Sequence, residues 1–320
     1  KSKSIVDDKK IPMMGVMAAF IFAAQMINFT IPITGSSGHI GGGILLAAML
    51  GGDPGVLAIS AVLLIQAFFF ADGGLLALGC NIFNMGFWPC LIIYPLIFKP
   101  LLKKNVTSFK LMWVSILCVI ISLQLGAFSV VLETLASGIT ALPFTQFVLL
   151  MQPIHLAIGI VEGIITGGVL IFVHNARPEI IDANLDGKSF QGIEVKKVAA
   201  GLLIAALIVG GGISLFASAN PDGLEWAMFG NAQNGYRAGM TTEEALAEGA
   251  NGGIYESAAN LQKNTAFMPD YGFKNSDSAA GTTTAGIVGS IVTLCLAGGA
   301  GFAIYAVNKN KKKNKANAEA

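Results

Sequence analysis

Charge is scarce in this chain: only 12% of its 320 residues are Asp, Glu, Lys or Arg, against 54% hydrophobic. With a mean hydropathy of +0.67, that balance excludes an ordinary soluble domain and implies several membrane spans. The formal net charge is +1 and the pI about 7.8. The basic residues cluster at the ends of apolar runs instead of forming a groove-sized patch, which excludes nucleic acid as a partner. The four cysteines, Cys80, Cys90, Cys118 and Cys295, sit inside apolar runs without CxxC spacing. Neither a disulfide framework nor a thiolate zinc site follows, and they read as small packing residues. A secretory signal peptide is lacking too, because Lys1 to Lys10 is polar and the next apolar run is long enough to span. The chain opens without methionine, as a fragment or a processed product would. It has no repeat of solenoid period.

What is present is a series of apolar runs. Pro12 to about Ile33 reads as a first span. Ile44 to Leu50 is too short for a hydrocarbon core that needs roughly 20 helical residues, so it reads as a short or re-entrant helix stopped by Gly51-Gly52-Asp53-Pro54-Gly55. Val56–Ala71, Leu75–Phe98, Leu111–Leu135, Pro143–His174, Val198–Phe216 and Ile287–Val307 follow. The basic groups around Lys9 and Lys10, Lys99 to Lys110, Arg177 to Lys197, and Lys309 to Lys315 fall on one side if the short segment dips through the membrane once. The excess of positive charge makes that side cytoplasmic.

The expected fold is therefore all-α: a polytopic transmembrane helical bundle with short loops over residues 1–175, and a C-terminal helix-loop-helix membrane module. Residues 176–197 read as a polar cytoplasmic linker, 198–308 as a two-span module with an outer loop at 219–280, and 309–320 as a basic cytoplasmic tail. The outer loop carries Asp222, Glu225, Glu243, Glu244, Glu248, Glu256, Asp270 and Asp277 against Arg237, Lys263 and Lys274. Such a loop either attracts cations weakly or is simply kept soluble by its charge.

The chain is organised around Thr34-Gly35-Ser36-Ser37-Gly38-His39-Ile40-Gly41-Gly42-Gly43. Non-helical chain beside a span survives only when it is buried in protein or lines a wet cavity. Imidazole suits divalent nickel, cobalt, copper and zinc, so His39 is the candidate ligand of a transported metal ion. The run is not a phosphate loop, since it lacks the Gly-Lys-Ser/Thr ending, and no ATPase motif occurs elsewhere. Active transport would need its motor on another subunit.

Ionisable groups inside a membrane are costly and so are functional candidates. His155 and Glu162 are two helical turns apart on one face, and either pair with each other or line a cavity beneath His39. Gly159, Gly163 and Gly167 on that helix read as close packing. Asn81 and Asn84, with Gln66, Gln124 and Gln152, read mainly as interhelical hydrogen-bonding groups, and Ser36, Ser37, Asn81 and Asn84 are also candidates to line the site. Met13, Met14 and Met17 have a spacing that ordinary packing produces as readily as a Cu(I) site does.

Several runs together resemble the CbiM/NikM family of cobalt and nickel substrate-binding membrane subunits: Pro12-Met13-Met14-Gly15, Ala24-Gln25-Met26-Ile27-Asn28, Gly35-Ser36-Ser37-Gly38-His39, Asp72-Gly73-Gly74-Leu75, Asn81-Ile82-Phe83-Asn84 and Pro153-Ile154-His155. Asn220-Pro221-Asp222-Gly223-Leu224-Glu225 between two later spans is similar to the small PDGLE-type accessory, here fused behind the core. The resemblance implies an energy-coupling-factor transporter with separate ATPase subunits and a coupling transmembrane subunit, in the plasma membrane of a prokaryote. It implies Co(II) or Ni(II) as transported substrate, no permanently bound cofactor, and an accessory that helps the core load metal. It also implies nitrogen ligands from an N-terminal Met-His pair together with the histidine of the Ser-Gly-His turn, which His39 matches. Lys1-Ser2-Lys3-Ser4 departs from that pattern. A nearly all-nitrogen square-planar site suits nickel. Two other classes stay open: an ion-coupled carrier running on His155 and Glu162, and an intramembrane serine protease with Ser37 as nucleophile and His155 as base.

Overall fold

The computed structural model of the chain describes residues 9–32, 34–138, 142–231, 236–237, 253–276 and 278–319. The polar start before Lys9, the loop acids Glu243, Glu244, Glu248 and Asp277, and the side chains of Arg237, Lys311, Lys312, Lys313 and Lys315 lie outside it.

Helices dominate, and among the described residues six are long and apolar enough to cross a membrane. These are α3 (Gly52–Phe70), α4 (Leu78–Leu102), α5 (Ser108–Ser137), α6 (Phe144–Ala176), α8 (Lys196–Phe216) and the apolar Ala279–Asn310 of α11 (Ala279–Glu319). The shorter α1 (Lys10–Gln25) and α2 (Gly43–Leu50) lie inside the bundle, and α7 (Pro178–Asp186), α9 (Gly223–Phe229) and α10 (Ile254–Thr265) connect or cap it. Large apolar side chains such as Leu96, Phe109, Trp113, Leu149 and Phe172 are exposed around the outside, where lipid takes the place of a second apolar layer.

The first helix is shorter than hydropathy predicts. It ends at Gln25 instead of running on to about Ile33. The next residues are apolar, but Thr30, Ile31 and Pro32 are β-branched or cannot donate, so they leave the helix. Phe29–Thr30 (β1) pairs antiparallel with Ser37–Gly38 (β2), in the register Phe29 to Gly38 and Thr30 to Ser37. The chain then reaches α2 through His39 to Gly42.

α1 is buried almost throughout, with Met13, Met14, Met17, Ile21 and Phe22 fully enclosed. It packs against α3 and against α8 and α11 of the second module. The three methionines fill the core. Gly159, Gly163 and Gly167 let α6 press on α5, where an added Cβ would meet Ile120, Ile116 and Met112 at 3.1, 2.5 and 2.7 Å.

The stretch predicted to be a polar linker contains α7, with Ile180, Ile181 and Asn184 buried. Asn184 Nδ2 donates to the carbonyls of Met49 at 2.6 Å and Ala48 at 3.2 Å. Lys10 Nζ donates to the Leu50 carbonyl at 3.2 Å and to Asn184 Oδ1 at 2.9 Å. The last carbonyls of α2 would otherwise be orphaned inside the bundle, and these two side chains satisfy them.

Candidate metal centre

The turn that carries His39 is held from three directions. From α6, Glu162 reaches in with its carboxylate and accepts from the amides of Gly41 and Gly42, each at 2.8 Å. Two successive N–H groups beside a left-handed residue form a small anion-binding nest, and Gly42 has φ +80°. That φ favours glycine, and Gly42 is also the residue from which α2 begins, so the positive end of α2 faces the same carboxylate. Glu162 is 2% exposed, and this pairing is what makes a carboxylate tolerable there.

From α1, Gln25 Nε2 donates to the Gly41 carbonyl at 2.9 Å, and Gln66 Nε2 of α3 donates to Gln25 Oε1 at 2.9 Å. Also from α6, Ile158 packs onto Gly38, where an added Cβ would lie 2.4 Å from the Ile158 Cδ1 atom. Gly38 is glycine because the strand lies directly on that helix.

The third support comes from the second module. Ser37 donates from its amide to the Pro221 carbonyl and from its hydroxyl to the Asn220 carbonyl, both at 2.7 Å. The Ser218 amide donates to the Asn28 carbonyl at 2.7 Å, and Thr30 Oγ1 bonds Ser218 Oγ at 2.8 Å. Residues 218–221 thus run along the β1–β2 hairpin as a strap. Beyond it, Asp222 accepts from the Glu225 amide at 2.8 Å and caps α9. Trp226 of α9 then packs with Ile31, Ile154 and Ile158 over the hairpin. Burial raises the Glu225 carboxyl above its usual range, and the Asp222 charge adds to this.

His39 Nδ1 lies 3.0 Å from the Ile40 carbonyl. A proton on Nδ1 donating there leaves Nε2 with its lone pair, the state a metal needs. Among the described residues no group of three or more His, Cys, Asp and Glu side chains is placed to hold a metal ion.

His155 and Glu162 do not bond to each other. Each is used separately: Glu162 by the Gly41–Gly42 amides, and His155 by the Met151 carbonyl, 2.8 Å from its Nδ1. His155 lies instead against the start of α9, where a Cβ on Gly223 would come within 3.0 Å of its Cε1. Ser36 and Ser37 belong to the turn, Ser36 through a 2.8 Å contact with Thr34 Oγ1. Asn84 lines a cavity of about 20 Å³ beneath Gly41 and Gly43, together with Glu162, Ser122 and Met85. Its Nδ2 donates to Glu133 at 2.8 Å. Asn81 lies apart, next to Gly73 at the start of α4.

Four contributors were not singled out from sequence as site residues: Gln25, Glu133, and the backbone carbonyls of Asn220 and Pro221. Gln25 carried a signal, being an amide in an apolar run. The carbonyls carried none, since every residue has one.

Residues 1–180 match the family described as "Cobalt uptake substrate-specific transmembrane region", and residues 196–306 match the PDGLE domain. The "Putative fused nickel transport protein NikMN" of Archaeoglobus fulgidus is 31% identical over 296 residues, 91% of this chain and 85% of that one. The "Cobalt transport protein CbiM" of Sorangium cellulosum is 31% identical over 176 residues, 53% of this chain and 76% of its own. A crystal structure of a truncated transition metal transporter aligns over 53% of this chain and 83% of its own, with 31% identity and a TM-score of 0.46.

Proposed function

Since the chain belongs to the family of cobalt uptake substrate-specific transmembrane regions and carries a PDGLE domain behind that region, we propose that it is the metal-selecting subunit of an ATP-driven nickel or cobalt importer. The protein is a multi-pass membrane protein of cobalt and nickel transport, and a transporter component, not an enzyme. His39 is the side-chain ligand of the transported ion. The observation that carries this assignment is the state of the ring: Nδ1 faces the Ile40 carbonyl, and the residues on either side are pinned by Ser37 and by the Gly41–Gly42 amides. A ring held in this way presents Nε2 with little rotational freedom, so little ordering cost remains when metal binds.

Ser36 and Ser37 shape the turn, Glu162 and Asn84 support it from below, and His155 on α6 supports the start of α9. ATPase subunits and a coupling transmembrane subunit supply the work, since the chain has no nucleotide motif. The basic clusters are cytoplasmic, as is the C-terminus, in the plasma membrane of a prokaryote.

The two other classes fit less well. Glu162 has both oxygens engaged by backbone amides, so it is poorly placed to exchange a coupling ion with His155. Ser37 directs its hydroxyl hydrogen to the Asn220 carbonyl instead of to an imidazole base. The test is nickel and cobalt titration calorimetry on the full chain and on His39→Ala. Loss of binding in the variant is the expected result, and unchanged affinity for both ions removes His39 from the site.

A further inference from the structure

A hydrogen-bonded path leads from the outer loop of the second module to the metal turn. It starts at Tyr271, whose hydroxyl donates to Asp72 Oδ2, and the Asp72 amide in turn donates to the Gln66 carbonyl at 3.1 Å. Gln66 Nε2 donates to Gln25 Oε1, Gln25 Nε2 donates to the Gly41 carbonyl, and the Gly41 amide donates to Glu162. The direction of each bond is fixed by its neighbours. A flipped Gln25 would set its oxygen against the Gly41 carbonyl and its NH₂ group against that of Gln66.

Tyr271 is held in place by several independent contacts. Its ring stacks on Phe70 at 5.0 Å between centroids and lies edge-on to Phe22 at 6.1 Å. Its φ is +58°, and that of Asp270 is +51°, a conformation that side chains disfavour and that surrounding contacts must enforce. The end of α3 winds as a π-helix from Gln66 to Phe70, and its free carbonyls are taken by the same loop. Gln262 Nε2 donates to Ala67 at 3.0 Å and the Met268 amide to Phe69 at 3.2 Å. The loop therefore grips the turn of helix on which Gln66 sits.

We propose that Tyr271 is a positioning residue for metal binding, acting through Asp72, Gln66 and Gln25 on the Gly41 carbonyl and hence on the turn that presents His39. This rests on His39 being the ligand. The second module then acts on the site at two separated places, the strap at residues 218–221 and this path, and only the second can be cut by removing one hydroxyl.

The test uses the full chain in nanodiscs and the variant Tyr271→Phe, which keeps the ring stack. Amide exchange over residues 35–43 without metal reads the path itself, and nickel affinity and the absorption spectrum of the bound ion read its effect on the site. The expected result is faster exchange at Gly41 and Gly42 and roughly three- to tenfold weaker nickel binding, the range set by one net hydrogen bond. Tyr271→Leu serves as control, because it loses the ring as well and should lower the thermal midpoint more than Tyr271→Phe. Unchanged exchange in Tyr271→Phe overturns the proposal. So does faster exchange with nickel affinity within twofold of wild type. If His39→Ala binds nickel normally, the ligand assignment has failed, and the metal-free exchange result still decides whether the path controls the turn.

Discussion

Glu162 Oε1 and the amide of Gly42 are 2.8 Å apart, although 120 residues separate them in sequence. The bond ties the middle of α6 to the start of α2, and it is doubled by Oε2 on Gly41. Glu162→Gln keeps the volume but sets an NH₂ group against one of the two amide donors. Losing one charge-assisted bond and opposing two donors costs about 1.5–3 kcal/mol. Nickel affinity should fall by more than tenfold, measured by calorimetry, and Glu162→Asp should not rescue it because the shorter side chain stops short of both amides.

Lys10 is 5% exposed, with Nζ 4.7 Å from the centre of the Phe190 ring as well as bonded to Leu50 and Asn184. Lys10→Met fills the space but leaves buried acceptors unsatisfied, a loss of about 1–3 kcal/mol. The thermal midpoint should drop while nickel affinity stays within twofold, because these contacts lie at the far end of α2 from His39.

The two spanning helices of the second module, α8 and α11, cross at Gly210 and Gly286, where a Cβ on Gly286 would lie 1.9 Å from the Gly210 carbonyl oxygen. The atoms that Cβ would meet all belong to the Gly210 backbone, so no side-chain rotation relieves the clash. Gly286→Ala should cost at or above the ~3 kcal/mol upper end of overpacking penalties. Loss of folded yield in size-exclusion chromatography is the measurement, with Gly299→Ala, which meets nothing within 4 Å, as control.

Glu225 makes stability depend on pH. Its folded-state pKa is raised, by burial first and then by the Asp222 charge, so the folded chain holds this proton more tightly than the unfolded chain does. Its contribution is therefore favourable at low pH and is lost as pH rises from the ordinary glutamate range through the raised value. The thermal midpoint should decline across that window, and Glu225→Gln should remove this part of the decline. A slope identical in both proteins would contradict it.

The sequence made the apolar helices legible because lipid-facing and core-facing residues are both apolar, so long runs stand out without any periodicity. It also singled out the turn around His39, which the structure supports from α1, α6 and the second module. The end of α1 was hidden for the same reason that the spans were visible: Phe29 and Ile31 are as apolar as helix residues, although they form or flank a strand. Helix α7 was hidden by its charges, with Asp182 and Asp186 on its outer side masking Ile180, Ile181 and Asn184. The use of Glu162 was half visible. Its burial follows from its place in a span, but its partners are backbone amides, and in sequence these look like any glycine.

The enclosure of α1 limits how this protein can move. A helix with protein on every side is not free to slide or roll in lipid on its own, because any displacement would open voids around Met13, Met17 and Phe22 at once. Reorientation during a transport cycle would then carry α1, α3, α8 and α11 as one rigid block. Bilayer thickness and fluidity would reach α1 only through the helices packed around it.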